Sequence, residues 1–467
     1  MGSRTLSLGN SRDGMHKRAA QNHLDGTSPR KERALLLTVG NCKPIQAFLL
    51  VLISLWVLTA VVGLLEHFAL HWPKEHWSPM FVSTAPYDDF TIYRERFHYF
   101  HQADFFVPWQ THAVGISNFP FTYPAPAAIA FKLLFVFGSA SEYVLFAFFL
   151  AGSLLALALF GRALTVHGFT GPSTICFLGL AAGLSYPAMF AIDRGNIELL
   201  NALLVWSAVA CIWKRWWTAG AVLLGVAISF KLFPIFLLGL FVANRKYLAT
   251  LVSVSSAGVA TVLSYLALGP TLGEARRGIA SGLLFFQQQY VLSFHQYEAE
   301  FDHSLFLPVK MVAIALHHFF PASLPAGLAS YASGYLAIAT LLCLVLFFWR
   351  IVKMPLPNQI IILVVLSVLV PPLSSDYTLV HLYAGWAVLT LCVVSSNRLD
   401  DRAMKGGLLA MALFGALMAP ESFLYAHHFG FSGLAKMLML LTLAATAAIF
   451  PWQYSGLLKD DGVALLT

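Results

Sequence analysis

The stretch "QAFLLVLISLWVLTAVVGLLEHF", residues 46–68, decides the fold class because its central eighteen residues, 48–65, carry no charge. A helix rises about 1.5 Å per residue, so roughly twenty such residues cross the hydrocarbon layer of a membrane. Similar apolar runs recur to the C-terminus of this 467-residue chain, which is 58% hydrophobic and only 11% charged. No alternating pattern of a membrane barrel is present. The sequence therefore predicts an all-α polytopic membrane protein and excludes a soluble domain.

The positive charge is concentrated in a few segments between the apolar runs. Of the 29 Lys and Arg residues, 19 lie in the N-terminal tail, the C-terminal tail and five short loops, those near Arg162, Lys214, Arg245, Arg350 and Arg402. This distribution follows the positive-inside rule and places these segments in the cytoplasm. The net charge of +7 is thus explained by topology, and no nucleic-acid partner is expected.

With the basic loops inside, the chain is predicted to cross the membrane twelve times. The predicted spans are 46–68, 143–161, 173–191, 196–213, 217–231, 234–244, 248–268, 327–349, 358–373, 379–396, 406–420 and 433–451. Residues 1–44 are predicted to form a disordered cytoplasmic tail, 45–452 the transmembrane domain, and 453–467 a cytoplasmic C-terminal tail. The five cysteines lie in or beside apolar runs, so no disulfide framework is expected.

Two further apolar segments, 121–138 and 304–320, do not fit this alternation of sides. Each follows an outer loop and precedes a span that must itself begin outside, so each must return to its starting side. They are predicted to be lateral or re-entrant helices, which membranes tolerate when such segments line a protein cavity. Elements of this kind suit a site that handles a lipid-borne group.

Charged residues at the outer ends of the spans are the first candidates for function, because such charges are costly near a membrane. In "PYDDFTIYRERF", residues 86–97, a carboxylate of Asp88 or Asp89 can act as a general base. The alternative is that an Asp caps a surface helix on which Arg94 and Arg96 remain solvated.

Two candidate cationic sites follow along the chain. In "AIDRGNIELLN", residues 191–201, Arg194 and Asn196 can hold a phosphate, although Asp193 and Asn196 also suit a tight helix-to-helix turn. In "ISFKLFPIF", residues 228–236, Lys231 precedes Pro234 and can receive a lipid phosphate. Snorkelling of Lys231 to the interface is the alternative.

The fourth candidate region is "PPLSSDYTLVHLYAGW", residues 371–386. Asp376 and His381 are predicted to bind substrate, whereas a capping Asp and a core His are the structural alternative. Their i,i+5 spacing does not place them on one helical face, so they are not proposed as a metal pair. The outer loops are rich in aromatic residues, and Tyr123 is a candidate for contact with a sugar ring.

The order of these motifs resembles glycosyltransferase family 87, which comprises polyprenol-phosphate-mannose-dependent mannosyltransferases and relatives of the GT-C fold. The resemblance rests on "DF..Y" at 89–93, "YPAP" at 123–126, "RGN" at 194–196, "AGAVLLGVAISFKLFP" at 219–234 and "PPLSSDY" at 371–377. It covers roughly residues 46–450. "YPAP" stands where the family more usually has YPP, and the late motif has Ser375 and Tyr377 where Trp or His is frequent.

The resemblance implies inverting transfer of a sugar, mannose by default, from a polyprenyl-phosphate donor to a lipid or glycan acceptor, without metal or cofactor. It implies Asp89 as the base, with Asp88 as a neighbour whose negative charge would make Asp89 more basic. Lys231, Arg194 and His381 would stabilise the departing phosphate. The expected location is the plasma (inner) membrane, with the site on the periplasmic or extracellular side.

Two other functions remain open at the level of the sequence. A membrane transporter or lipid flippase commonly has twelve spans, but carriers tend to place charges and broken helices at the bilayer midplane in two repeated halves. An outer-leaflet polysaccharide polymerase or ligase would use arginines of a late outer loop, for which Arg276 and Arg277 are available.

Overall fold

The structure of the protein is a computed structural model that describes residues 42–69, 88–94, 121–268, 271–293, 301–320, 328–395, 401–420, 425–426 and 429–453. Both predicted tails therefore lie almost wholly outside the described residues. The helices are α1 Lys43–Phe68, α2 Asp88–Arg94, α3 Ala125–Phe135, α4 Ser141–Val166, α5 Gly171–Gly183, α6 Tyr186–Arg194, α7 Glu198–Trp213, α8 Trp217–Phe230, α9 Leu238–Ala243, α10 Tyr247–Leu268, α11 Leu272–Phe286, α12 Leu307–Phe319, α13 Ala329–Trp349, α14 Leu356–Leu369, α15 Leu382–Ser395, α16 Asp401–Met418 and α17 Ser432–Ile449.

Short elements join these helices. Four 3₁₀ turns lie at Gly138–Ala140, Phe233–Leu237, Ile351–Lys353 and Asp376–His381, and a π-helical turn spans Gln287–Val291. Two strands of two residues each, β1 Tyr425–Ala426 and β2 Phe429–Gly430, pair antiparallel before α17. The prediction of an all-α membrane protein is confirmed in its main part, because helices build every larger element of the described residues.

Within the part of the chain that the structure describes, six segments are long and apolar enough to cross a membrane: Lys43–Leu65, Gly138–Val166, Tyr247–Leu268, Ala329–Lys353, Asp376–Ser395 and Ser432–Ile449. The pair α5 and α6, bent by 48°, makes up to seven. Each of the twelve predicted spans overlaps a helix, but several of these helices are short. A 14-residue helix such as α8 or α14 is only about 21 Å long, so the described residues do not confirm twelve spans.

The predicted lateral segments also contain helices. Helix α3, which begins within the Pro-rich "YPAP", lies in the segment 121–138, and helix α12 lies in the segment 304–320. Proline at the start of each helix fits because its missing N–H would have no intrahelical partner there. The five cysteines are free.

Helix α14 lies at the centre of the bundle, since every one of its residues is buried. It packs against α15, α17 and the turn Phe233–Leu237. Most residues of the segment Asp376–Ser395 are buried, whereas few residues of the segment Ala329–Lys353 are buried and its apolar side chains are exposed. A helix that is apolar on its exposed side is typical of contact with lipid.

Helix α8 is held between α7 and α10, which brings its C-terminal end to the candidate site. The close approach of α8 to α10 requires glycine at position 225, because a Cβ there would lie 2.2 Å from the carbonyl oxygen of Ser253. Lys231 follows directly after this tightly packed helix.

Candidate functional site

Asp89 lies on the short helix α2 and is held by two donors from the α6–α7 turn. Arg194 Nη2 donates to Asp89 Oδ1 at 2.5 Å, and Asn196 Nδ2 donates to Oδ2 at 2.8 Å. Helix α2 is fixed by Phe90 and Tyr93, which are buried in an aromatic cluster with residues of the segment 121–135. A helix of only seven residues depends on such packing rather than on its own propensity.

The "RGN" motif is the turn that places these two donors. Gly195 ends α6 with φ +60° and ψ 32°, a left-handed conformation that costs other residues roughly 1–2 kcal/mol. Arg194 is thus the last residue of α6, and Asn196 stands before α7. Asn196 Oδ1 accepts from the backbone N–H of Glu198 at 3.0 Å, so the predicted turn and the predicted site coexist in the same residues.

Glu198 joins the cationic residues of the site, and sequence reasoning missed it. Its side chain is wholly buried. It accepts from Lys231 Nζ, from His381 Nε2 at 2.5 Å and from Asn201 Nδ2 at 2.9 Å. A single acid in the first turn of an apolar helix was the signal available in the sequence, because such an acid must find a partner.

Lys231 lies in extended backbone between α8 and the turn that contains Pro234. Besides its ion pair with Glu198, its Nζ donates to Asn196 Oδ1 at 3.3 Å and lies 4.9 Å from the ring centroid of Tyr377. Its side chain is only 11% exposed. Lys231 therefore does not snorkel to water but points into the protein, which corrects the structural alternative for this residue.

Tyr123 completes the network on the side of α3. Its hydroxyl accepts from Asn196 Nδ2 at 3.2 Å, and its ring lies 5.4 Å from Lys231 Nζ. Burial raises the pKa of the Tyr123 phenol well above its ordinary value, and the negative charge of Asp89 raises it further. The phenol is therefore protonated at neutral pH.

The structure brings six of the predicted residues together with Glu198 and places Asp376 apart from them. The set that we call the Asp89 network comprises Asp89, Tyr123, Arg194, Asn196, Glu198, Lys231 and His381. Asp376 is at the start of the turn Asp376–His381 and belongs to a second cluster. Its Oδ2 accepts from Lys436 Nζ at 2.7 Å and from Tyr186 OH at 3.0 Å. That Asp376 contacts substrate stays a prediction.

Sequence reasoning missed the other members of this second cluster as well. Lys436 is 1% exposed and His303 is not exposed at all. Asp302 accepts from the backbone N–H groups of Ser304 and Ser374 at 2.9 and 3.0 Å. Burial raises the pKa of Asp302, and Lys310 and these hydrogen bonds oppose that effect. A lysine inside the apolar run 432–450 was the available signal.

In the stretch 86–97, Arg94 differs from the expectation that it is solvated. Arg94 is not simply solvated, because it forms an ion pair with Glu142 at the start of α4. That contact ties the end of α2 to the next long helix. Asp88 is the first residue of α2, but its side chain, like the whole of Arg96, lies outside what the structure describes.

A comparison with protein families matches residues 121–372 to glycosyltransferase family 87, more than half of the chain. The chain belongs to glycosyltransferase family 87. The resemblance in the sequence motifs is thereby confirmed. A comparison with curated proteins finds no match.

The part of this family 87 glycosyltransferase that the comparison matches contains most of the Asp89 network, namely Tyr123, Arg194, Asn196, Glu198 and Lys231. Asp89 and the turn Asp376–His381 lie outside the matched residues. Tertiary contacts therefore add them to the site. Among the described residues no group of three His, Cys, Asp or Glu side chains is arranged to hold a metal ion; the metal-free mechanism stays a prediction.

Proposed function

We propose that this family 87 glycosyltransferase moves a sugar, mannose by default, from a polyprenyl-phosphate donor to a lipid or glycan acceptor at the outer face of the membrane. The observation that carries the proposal is the Asp89 network. It combines one accessible carboxylate with three cationic or ionisable donors, in a chain that has at least six apolar helices of membrane-spanning length. A donor carried by a lipid suits such a protein, because its phosphate stays at the membrane surface.

Asp89 is the base in this proposal because of the difference between the two carboxylates of the network. The side chain of Asp89 keeps 19% of its surface exposed, whereas that of Glu198 has none and already accepts from three side chains. An acceptor hydroxyl can therefore reach Asp89 but not Glu198. As the hydroxyl oxygen bonds to the anomeric carbon, its proton passes to Asp89.

The bond between the anomeric carbon and the phosphate oxygen breaks on the opposite face of the sugar, and its electron pair leaves with the phosphate. Attack from one face and departure from the other inverts the anomeric configuration. A phosphate monoester leaves without a proton if cations stabilise its developing charge. Lys231 and Arg194 supply such groups in the proposed mechanism, and no metal or other cofactor enters it. His381, whose side chain is only 2% exposed, acts in it through its contact with Glu198.

Asn196 has two functions in this mechanism. Its amide nitrogen orients Asp89, and its amide oxygen accepts from Lys231. Asn196 therefore holds the base, Asp89, at a fixed distance from the phosphate-binding residue, Lys231. Tyr123 and Tyr377 flank Lys231 with their rings. These aromatic faces offer a surface on which the sugar of the donor stacks.

The test is sugar transfer by the purified protein in lipid nanodiscs, with a panel of radiolabelled polyprenyl-phosphate sugars and lipid acceptors. Loss of a general base lowers the rate typically by 10²–10⁴-fold, so Asp89→Asn should lose about that much. Asp193→Asn is a matched control, because it also changes an acid to an amide beside Arg194. It should keep most of the activity.

The outcomes separate the parts of the proposal. Undiminished transfer by Asp89→Asn would remove Asp89 as the base. Lack of transfer by the wild type from every donor, combined with passage of a labelled lipid between the leaflets of sealed proteoliposomes, would instead indicate a flippase. A ladder of products of increasing length would indicate a polymerase.

A further inference from the structure

The turn Asp376–His381 presents two residues to the Asp89 network. Tyr377 places its ring 4.9 Å from Lys231 Nζ, and His381 Nε2 donates to Glu198 at 2.5 Å. The turn is 3₁₀-helical, with a rise of about 2 Å per residue. Its two ends are therefore only about 10 Å apart, and Asp376, the first residue of the turn, is the chain neighbour of Tyr377.

The first residue of this turn is fixed from three directions. Asp376 Oδ2 accepts from Lys436 of α17 and from Tyr186 of α6, and its Oδ1 lies 3.5 Å from His303 Nδ1. All four residues are almost completely buried. Three separate parts of the fold thus converge on one carboxylate at the start of the turn.

The buried charges themselves call for an explanation beyond stability. Apolar residues of similar volume often replace a buried ion pair without loss of stability, because removing two charges from water is costly. A lysine ammonium is a point charge on a flexible stem and fixes no direction by itself, but the contacts of Asp376 with Lys436, Tyr186 and His303 together hold its carboxylate in one position. Such a constraint is useful where a residue nearby must be held with precision.

We propose that Asp376 and Lys436 are positioning residues of the transferase. Their ion pair locks the start of the turn to α17 and thereby holds Tyr377 and His381 against the Asp89 network. This inference rests on the proposed function, since it concerns the same reaction. It differs from the expectation that Asp376 contacts substrate, because here Asp376 acts through the turn.

The test compares Lys436→Met alone with the double variant Asp376→Asn/Lys436→Met. The single variant leaves a buried carboxylate without its cation, so its thermal midpoint should fall. The double variant removes both charges and should recover most of that midpoint. Its kcat should nevertheless stay roughly 10–100-fold below wild type, because small misplacements of site residues cost about that much. The KM for the donor should change little.

Asn358→Leu is the matched control. Asn358 lies on α14 and contacts the C-terminal end of α17, whereas Lys436 lies near the N-terminal end of α17. Asn358 is buried and donates to the carbonyl oxygens of Ala447 and Phe450 at 2.6 and 2.8 Å. Its loss should lower the thermal midpoint while leaving kcat per folded molecule unchanged. Wild-type kcat in the double variant would show that the ion pair is purely structural and would overturn the inference.

A second measurement keeps the inference separate from the proposed function. Hydrogen exchange by mass spectrometry should show faster exchange of the amides of residues 376–386 in the double variant, but not in Asn358→Leu. This result is independent of sugar transfer. Unchanged exchange in the double variant would reject the positioning role even if the wild type transferred no sugar.

Discussion

Replacement of Glu198 by Gln tests the centre of the site most directly. Glu198 is the shared acceptor of Lys231, His381 and Asn201, and none of its side chain is exposed. Gln has nearly the same shape, but one of its two acceptor oxygens becomes an amide group that donates. The variant therefore leaves Lys231 as a buried cation without its counter-ion.

The magnitude follows from that burial. Breaking a buried ion pair by removing one partner destabilises a protein typically by about 3–5 kcal/mol, since the remaining charge is desolvated without compensation. Lys231 is 11% exposed, so we expect the lower part of that range, about 3 kcal/mol. The activity should fall roughly 100-fold, because Lys231 and His381 lose the group that orients them.

The assay measures the thermal midpoint and the transfer rate in nanodiscs for three variants, namely Glu198→Gln, Glu198→Asp and Glu274→Gln. Glu198→Asp keeps the charge but shortens the side chain, so it should retain much of the stability while losing activity. Glu274→Gln alters a partly exposed carboxylate in the first turn of α11 that accepts from Thr271 Oγ1. Gln keeps an acceptor oxygen for this contact, so the variant should match wild type within about 0.5 kcal/mol. Wild-type stability and activity in Glu198→Gln would refute the view that Glu198 organises the site.

Three further predictions concern the surroundings of Asp89. Lys231→Met should lower kcat by about 10²–10³-fold, as removal of a transition-state donor does, with Lys231→Arg restoring part of it in the transfer assay. Gly195→Ala should cost roughly 1–2 kcal/mol, because φ is +60° there, and a thermal midpoint equal to wild type would contradict this. Arg94→Met should cost about 1–3 kcal/mol by leaving Glu142 without its partner; the double variant Arg94→Met/Glu142→Gln should recover much of it, and no recovery would argue against the ion pair.

Much of the candidate site was predictable as a set of residues but not as a set of contacts. Asp89, Arg194, Asn196 and Lys231 stand out in the sequence because charges are rare in such an apolar chain. Glu198 was overlooked because it follows the "RGN" turn and enters an apolar helix as an ordinary first-turn acid.

The cluster around Asp376 also shows that the sequence does not reveal which side chains are in contact. Asp376 was predicted to act with the other outer charges, but in the structure it is held by Lys436 and Tyr186. Which cation a buried carboxylate meets depends on how α6 and α17 pack. No local pattern around Asp376 encodes that packing.

The amino-acid sequence by itself determined the membrane class and the helical elements, because the preference of a segment for lipid depends on its own residues. It also determined the membership of family 87, because that match is one of sequence. Only the tertiary structure decided which charges meet. The contact of Arg194 with Asp89 joins residues 105 positions apart, and that of His381 with Glu198 joins residues 183 positions apart. Such partners are chosen by helix packing, since burial makes each charge depend on whichever opposite charge the fold brings within reach.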